Sequence, residues 1–387
     1  MVSEHSFINL CLIILRAGKE IFVNLPLFDV LVVAIMFRQE KVSLQCRLLC
    51  SERRHVSRAS VDIHWDHFGF PYGTADVSCP LPPACQAPSH VAVTSAAARN
   101  RADLEFLEVQ NQKELNVFPY NFTSCFSTMY NYTNILQLVQ TVEMLQLLGV
   151  NRIVIYKTNC SVETQRVLDY YTDKGLVEVV PWSLSEYLKV SRRAKPDQDP
   201  GDIHYYGQIP ALNDCLYRSM YRSKYVALHD PDELILPQTK RHGADRCFYF
   251  ENNWFPTEFT LPPPPPNVLP ARGLWRNVSG ANVLTHLYSE PVKPKPAFNN
   301  FKTITNPRSV FVVTVHGVLR SQKNVQTLIG LIPLLTPLSL PLMSAHIGMH
   351  TGPPQTVWSF SSFSFFFCFM LRKISAENRL KSGCKVL

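Results

Sequence analysis

The sequence is short of glycine: 15 occur in 387 residues, against 29 prolines. Its loops therefore read as rigid. It has no Cys-x-x-Cys pair, which argues against a zinc knuckle. It has no long basic run either. Lys+Arg exceed Asp+Glu by 38 to 30, a formal charge of +8, but the excess is spread along the chain in short clusters such as Arg53-Arg54 and Arg192-Arg193. A nucleic-acid binder gathers such charge into a stripe, so no nucleic-acid partner is expected. With 46% hydrophobic and 18% charged residues, the chain is not a disordered one. Its length suits two or three domains of roughly 150 residues.

A clean membrane span is also missing. Residues 7–15 are apolar, but nine residues cannot cross a core of about 30 Å, so 1–20 make a poor signal anchor. Residues 21–37 are interrupted by Asn24, Pro26 and Asp29 and read better as buried strands. From Asn324 to Leu371 there is no Asp, Glu, Lys or Arg; Pro333, Pro337 and Pro341 break the first half, and Trp358 and Phe365-Phe366-Phe367 mark the second. The tail 323–387 is either membrane-associated or foreign to the fold.

There are 11 cysteines, so at least one is left over or pairs with another chain. Four Asn-x-Ser/Thr sequons stand at Asn121, Asn131, Asn159 and Asn277. Together they favour the lumen of the secretory pathway, where disulfides persist.

Residues 21–115 show short apolar runs between Pro, Gly and Cys, which predicts a small β-rich N-terminal domain with a polar linker at its end. From Phe118 the pattern sharpens. Strands are predicted at 122–129, 152–156, 177–180 and 224–228. Helices are predicted at 134–148, where Ile135, Leu138, Val142 and Leu145 keep a 3.6-residue period before Gly149, at 161–174 with Ser161 as cap, and from about Pro210 to Tyr221. The alternation predicts an α/β fold with a mainly parallel sheet, whose ligands bind beyond the carboxyl ends of the strands. Residues 262–266, five prolines, read as a stiff extended loop. Residues 300–319 return to β character.

The chemistry concentrates after the strand 224–228, at His229-Asp230-Pro231-Asp232-Glu233. Three carboxylates within four positions repel one another unless a cation lies among them. Hard oxygens suit Mn²⁺ or Mg²⁺, and such a metal stabilises the charge of a departing phosphate. The plainer alternative is a solvated acidic turn. Two enzyme classes fit: a nucleotide-sugar transferase, and a phosphatase whose first Asp attacks phosphate. The phosphatase expects its acids after the first strand of the fold, whereas these follow about the fourth, so the transferase is preferred.

Several segments, in order, resemble glycosyltransferase family 92: Phe118–Thr123, Val154–Thr158, His204–Gln208, Leu212–Cys215, Tyr225–Pro237, Phe248–Asn253, Asn299–Lys302 and Val315–Leu319. The resemblance covers about residues 20–320. It implies a GT-A-like nucleotide-sugar-binding sheet, with the catalytic domain at 116–322. It also implies a Golgi or secretory-pathway membrane protein with a lumenal catalytic domain, transferring galactose from a UDP-sugar to a glycan or glycoprotein acceptor with inversion. By analogy Asp232 would bind Mn²⁺, Asp230 the metal or the ribose, and His316 is a candidate further ligand. Ser127, Thr128, Lys157 and Asp214 would lie near the nucleotide. Lys157 reads equally as a surface residue, and Asp214 with Arg218 as an exposed i,i+4 pair. Glu251 is the first choice for the base that deprotonates the acceptor, Glu233 the second. His229 is assigned to the core. Relatives carry a helix where 238–243 looks short, and a hydrophilic piece where this chain enters its charge-free tail. The runner-up is therefore a catalytically inactive member that binds a glycan or a partner enzyme.

Overall fold

The computed structural model describes residues 29–51, 53–97, 104–112, 117–235, 246–256, 278–280, 301–322 and 325–338, with short strands at 3–7, 10–20, 288–289 and 355–356. At 3–20, 234, 246, 251–256, 288–289 and 326–356 only the backbone is described. The shortened stretch 238–243, the proline run 262–266 and most of the 323–387 tail lie outside the described residues. No helix among the described residues is long and apolar enough to cross a membrane.

Residues 3–20 and 29–109 contribute the strands of two facing antiparallel sheets. One orders Ser3–Phe7, Leu10–Glu20, Asp29–Phe37, Tyr72–Pro80 and Ser60–Ile63; the other orders Arg53–Arg58, Leu44–Cys50, His90–Ser95 and Leu107–Glu108. Leu44–Cys50 alternates buried and half-buried residues, the period of a strand with one face in a core. Val30, Val32, Ala34 and Met36 pack there with Leu48, Val77 and Val93. The disulfides Cys46–Cys79 and Cys50–Cys85 close this sandwich. Asp29–Phe37 is buried on both faces. Its odd-numbered residues Leu31 and Val33 turn outward onto Tyr217, Met220 and Tyr221.

The second unit is an eight-stranded mixed sheet. Its strands are β1 (Tyr120–Met129), β2 (Arg152–Lys157), β3 (Val177–Pro181), β4 (Ser223–His229), β5 (Leu234–Ile235), β6 (Arg246–Pro256), β7 (Phe301–Thr305) and β8 (Gln326–Leu338), in the order β3-β2-β1-β4-β7-β6-β8-β5. The first four are parallel neighbours and β7 runs antiparallel to β4. Buried on both faces, β2 reads as the apolar run Ile153–Tyr156, as parallel strands do. Three α-helices connect them: α1 (Ile135–Leu147), α2 (Val162–Asp173) and α3 (Gln208–Ser219).

Local chemistry explains the helix ends. Asn134 accepts from the Gln137 N–H and Ser161 from the Thr164 N–H, caps whose loss costs about 1 kcal/mol each. Gly149 and Gly175 follow α1 and α2 with φ of +92° and +72°, the left-handed stop that glycine adopts without strain. The third helix starts at Gln208, before Pro210, because Gly207 at φ +70° turns the chain there.

Helices α1 and α2 cover one face of the sheet through Leu138, Val142, Leu145, Leu168 and Tyr171 against Phe126, Ile153 and Ile155. The other face takes α3, with Ala211, Leu212, Cys215 and Leu216 against Val154, Val226 and Leu228. Burying each such aliphatic side chain is worth about 1.5–3 kcal/mol. The Cys125–Cys215 disulfide ties β1 to α3. Because α3 has the sheet on one side and the sandwich on the other, its residues 208–217 are all buried. Among the described cysteines, Cys160 and Cys247 are unbonded.

Candidate active site

Between β1 and β4 the chain order of the parallel strands reverses: β2 and β3 extend to one side of β1, and β4 lies on the other. In an open α/β sheet such a switch point opens a crevice at the carboxyl ends of the strands. In register, Phe126 of β1 faces His229 of β4, so the next residues, Ser127 and Asp230, emerge side by side. A bulge helps. The pairing of β1 with β2 slips between Phe126 and Thr128, leaving Ser127 unpaired on that side and free to turn. Its Oγ donates to Asp230 Oδ1 at 2.9 Å.

Two further side chains fix that carboxylate. Gln208, first residue of α3, donates through Nε2 to Asp230 Oδ1 (2.9 Å) and Ser127 Oγ (2.7 Å). Lys302, from β7, places Nζ 2.9 Å from Asp230 Oδ2 and 3.1 Å from Glu233 Oε2. The ammonium is almost wholly buried, as is Glu233. Glu233 Oε2 also accepts the Asp230 N–H at 2.8 Å, and the Glu233 N–H returns to the Asp230 carbonyl at 3.0 Å. The Thr141 hydroxyl of α1 donates to the Pro231 carbonyl at 2.8 Å. The acidic turn is therefore built into the fold; it is not a loose solvated loop.

Burial raises all three acids, and the partners then separate them. Lys302 and the Ser127 hydroxyl outweigh burial at Asp230 and hold its carboxyl below the usual range. Asp232 is pushed up to about 6 by burial and by the charge of Asp230. Glu233 is pushed up to about 8 by burial, with Asp230 and Asp232 adding to it against the opposing pull of Lys302. One protein cation thus serves three carboxylates.

His229 lies in the core as the sequence suggests. Its Nε2 accepts from the Ser124 hydroxyl at 2.6 Å, its Nδ1 donates to the Asp230 carbonyl at 3.0 Å, and its edge meets Phe126. Burial brings its pKa down to about 4. The neutral ring braces the end of β4.

The other sequence-based candidates scatter. Thr128 is half-buried beside Ser127. Lys157 bonds Gln165 of α2. Asp214 bonds the Tyr156 hydroxyl and Arg218; the i,i+4 pair exists, but α3 is covered, so it is buried and not on an exposed face. Its partners join Glu178, which Arg152, Arg218 and Arg222 surround at 2.8–3.0 Å. His316 is half-buried and bonded through Nδ1 to the Phe301 carbonyl at 3.3 Å; burial and then Lys302 bring it down to about 4. The backbone of Glu251 pairs with Phe301, next to Lys302; its side chain lies outside the described residues.

Gln208 and Lys302 were given no role in the sequence. The signal available was a lone lysine inside the otherwise apolar and hydroxyl-bearing strand Phe301–Thr305. A cleft of about 350 Å³ lies nearby between α1, β1 and β4. It is lined by Phe122, Leu145, Tyr225 and Ile304 and takes in His229 but none of the acids, so it is separate from the acidic lip.

Among the described residues no three His, Cys, Asp or Glu side chains form a closed metal cage. Carboxylate oxygens are nevertheless the hard donors that would suit a divalent cation, and Asp232 is the residue that would hold it. Asp230 is committed to Ser127, Gln208 and Lys302, whereas Lys302 bonds Asp230 and Glu233 rather than Asp232. Among the described residues, Asp232 is the acid of the three that has no ion pair.

Comparison with known proteins bears on the same stretch. The profile of glycosyltransferase family 92 matches residues 120–254. The chain is similar to the beta-1,4-galactosyltransferase galt-1 of Caenorhabditis elegans, at 24% identity over 137 residues, 34% of this chain. The matched stretch spans 29% of that protein's length. The matched segment holds β1 to β4, the switch point and the acids gathered there, so the similarity to glycosyltransferase family 92 falls on the part of the chain that builds this site.

Proposed function

We propose that this protein transfers a sugar, galactose by analogy with the relative, from a UDP-sugar to a hydroxyl of a glycan or glycoprotein. The reading places a GT-A-like sheet at the centre, with the nucleotide at the switch point. The observation that carries it is the meeting of Ser127 and Asp230 across that switch, bridged at 2.9 Å and backed by buried Lys302. Asp232 would hold Mn²⁺, which supplies charge stabilisation to the departing diphosphate.

The chain's own residues have distinct tasks in this reading. Ser127, Gln208 and Lys302 lock Asp230, so the first acid is oriented before ligand arrives. Lys302, buried between Asp230 and Glu233, offsets part of the negative charge that a diphosphate would otherwise meet at the lip. For transfer with inversion a carboxylate must take the acceptor's proton on the face opposite the leaving group. Glu233 is poorly suited: its Oε2 is engaged by Lys302 and the Asp230 N–H, and at a pKa of about 8 it is protonated near neutrality. Glu251 on β6 is therefore the base in this proposal.

The three disulfides support an oxidising compartment, and we assign the chain to the Golgi or secretory lumen. A second reading, a catalytically silent member that binds glycans or a partner enzyme, is favoured by one observation: Lys302 already supplies Asp230 and Glu233 with a cation. Calorimetric titration of UDP with Mn²⁺ and after EDTA, followed by hydrolysis of a panel of UDP-sugars, separates them. Metal-dependent binding with hydrolysis of one sugar is expected. Equal binding without metal removes Mn²⁺ from the reading, and no hydrolysis of any donor leaves the silent binder.

A further inference from the structure

Among the described residues, six non-glycine residues adopt positive φ, and three of them are large aromatics: Phe68 (54°), Tyr205 (24°) and Tyr206 (53°). Two of the others are asparagines, which enter this region readily; a bulky ring there is an outlier. Such strain persists where the surroundings over-determine it, and it clusters at ligand sites.

The three strained aromatics belong to one row of rings. Phe68 stacks on His204 with centroids 4.3 Å apart, and Tyr206 stacks on Tyr130 at 4.5 Å. Tyr205 joins the halves, 6.1 Å from His204 and 5.2 Å from Tyr206. The row starts on the sandwich and ends just past β1. Its sandwich end is held firmly, since Arg38 donates to the carbonyls of Phe70 and Gly69. Yet Phe68, Tyr205 and Tyr130 remain exposed, and Trp65 on the same loop is 73% exposed. Rigid, strained and solvent-facing aromatics do not serve a core. The row is also continuous with the acidic lip: Gln208, three residues after Tyr205, bonds Asp230 at 2.9 Å.

We propose that Phe68 and Tyr205 form an acceptor subsite that stacks a neutral pyranose ring of a glycan. The C–H-bearing face of a pyranose packs on an aromatic face, while its hydroxyls stay in water. The sandwich then recognises the acceptor and the parallel sheet holds the donor. This inference rests on the glycosyl-transfer reading above.

The test uses the full chain, an array of immobilised neutral oligosaccharides, and UDP with Mn²⁺ in a calorimeter. Phe68→Gly and Tyr205→Gly each remove an exposed ring while relieving its positive φ, so both variants retain the fold, checked by an unchanged melting temperature. Each should weaken the strongest array signal about fivefold, the scale of one aromatic contact, and leave the UDP Kd unchanged. Array binding equal to the parent, or no array binding by the parent, overturns the subsite. Equal losses of UDP and glycan binding also overturn it, because the rings would then serve the nucleotide. If the parent hydrolyses no UDP-sugar while both variants still lose glycan binding, the subsite stands and the transferase reading falls.

Discussion

Two buried charge clusters flank the parallel sheet, and their balances are opposite. Around Glu178 and Asp214, three guanidiniums face two carboxylates. Around Asp230, Asp232 and Glu233, a single ammonium among the described residues faces three carboxylates. The first cluster is complete. The hydrogen bonds and charges of Arg152, Arg222 and Arg218 overcome burial and hold Glu178 down to about 2. The second is short of positive charge, and Asp232 and Glu233 are pushed up to about 6 and 8. Under the function proposed above, the first cluster is structural and the second awaits a cation from the ligand side.

The sharpest way to use the contrast is to remove one acid from each region and read activity. Glu251→Gln should cut turnover about 10²- to 10⁴-fold, the usual worth of a general base, while sparing Mn²⁺-dependent UDP binding. Unchanged turnover would strip Glu251 of the role. Asp232→Ala should weaken UDP binding in Mn²⁺ by at least about a hundredfold, beyond what losing an outer-sphere partner costs. Asp214→Asn, made in the complete cluster, should leave that affinity alone. If the two variants bind alike, the distinction between the clusters fails.

Stability separates them next. Lys302→Met strands Asp230 and Glu233 without their cation and should cost about 3–5 kcal/mol in urea unfolding at pH 8. The cost should shrink as pH falls and the stranded acids take up protons, and shrink again on adding Mn²⁺. A penalty independent of both would mean that Lys302 acts by packing alone. Glu178→Gln should cost less, roughly 3 kcal/mol near neutrality. The folded pKa of Glu178 lies near 2 against an ordinary 4.5, so its contribution is complete above pH 4.5 and is lost as pH falls through that window toward 2. The parent and the variant should therefore converge in acid; parallel curves down to pH 2 would show that the arginines do not stabilise the ionised form.

Much of the catalytic sheet was legible because its signals are local. A 3.6-residue apolar period, caps at Asn134 and Ser161 and glycines at 149 and 175 locate α1 and α2 to within a residue or two. The Asp-x-Asp after a buried strand pointed to the lip. Pairings between distant segments were not legible. Lys302 meets Asp230 across 72 positions, and Arg222 meets Glu178 across 44. A lysine in a strand carries no mark of its partner until the sheet order brings β7 beside β4. Asp214 was open to an exposed reading because one helix face usually meets water. Here that face meets the sheet at Tyr156 and Glu178 while the sandwich covers the opposite side of α3, and the same i,i+4 pair becomes part of a buried network.

Sequence alone determined where the helices and parallel strands begin and end and which short segment concentrates negative charge, since these depend on neighbours within a turn or two. Tertiary structure alone decided which acids are neutralised and which are left wanting, and which rings reach solvent beside them. Those outcomes depend on strand order and layer packing, which place a cation or an aromatic from a remote part of the chain within bonding distance.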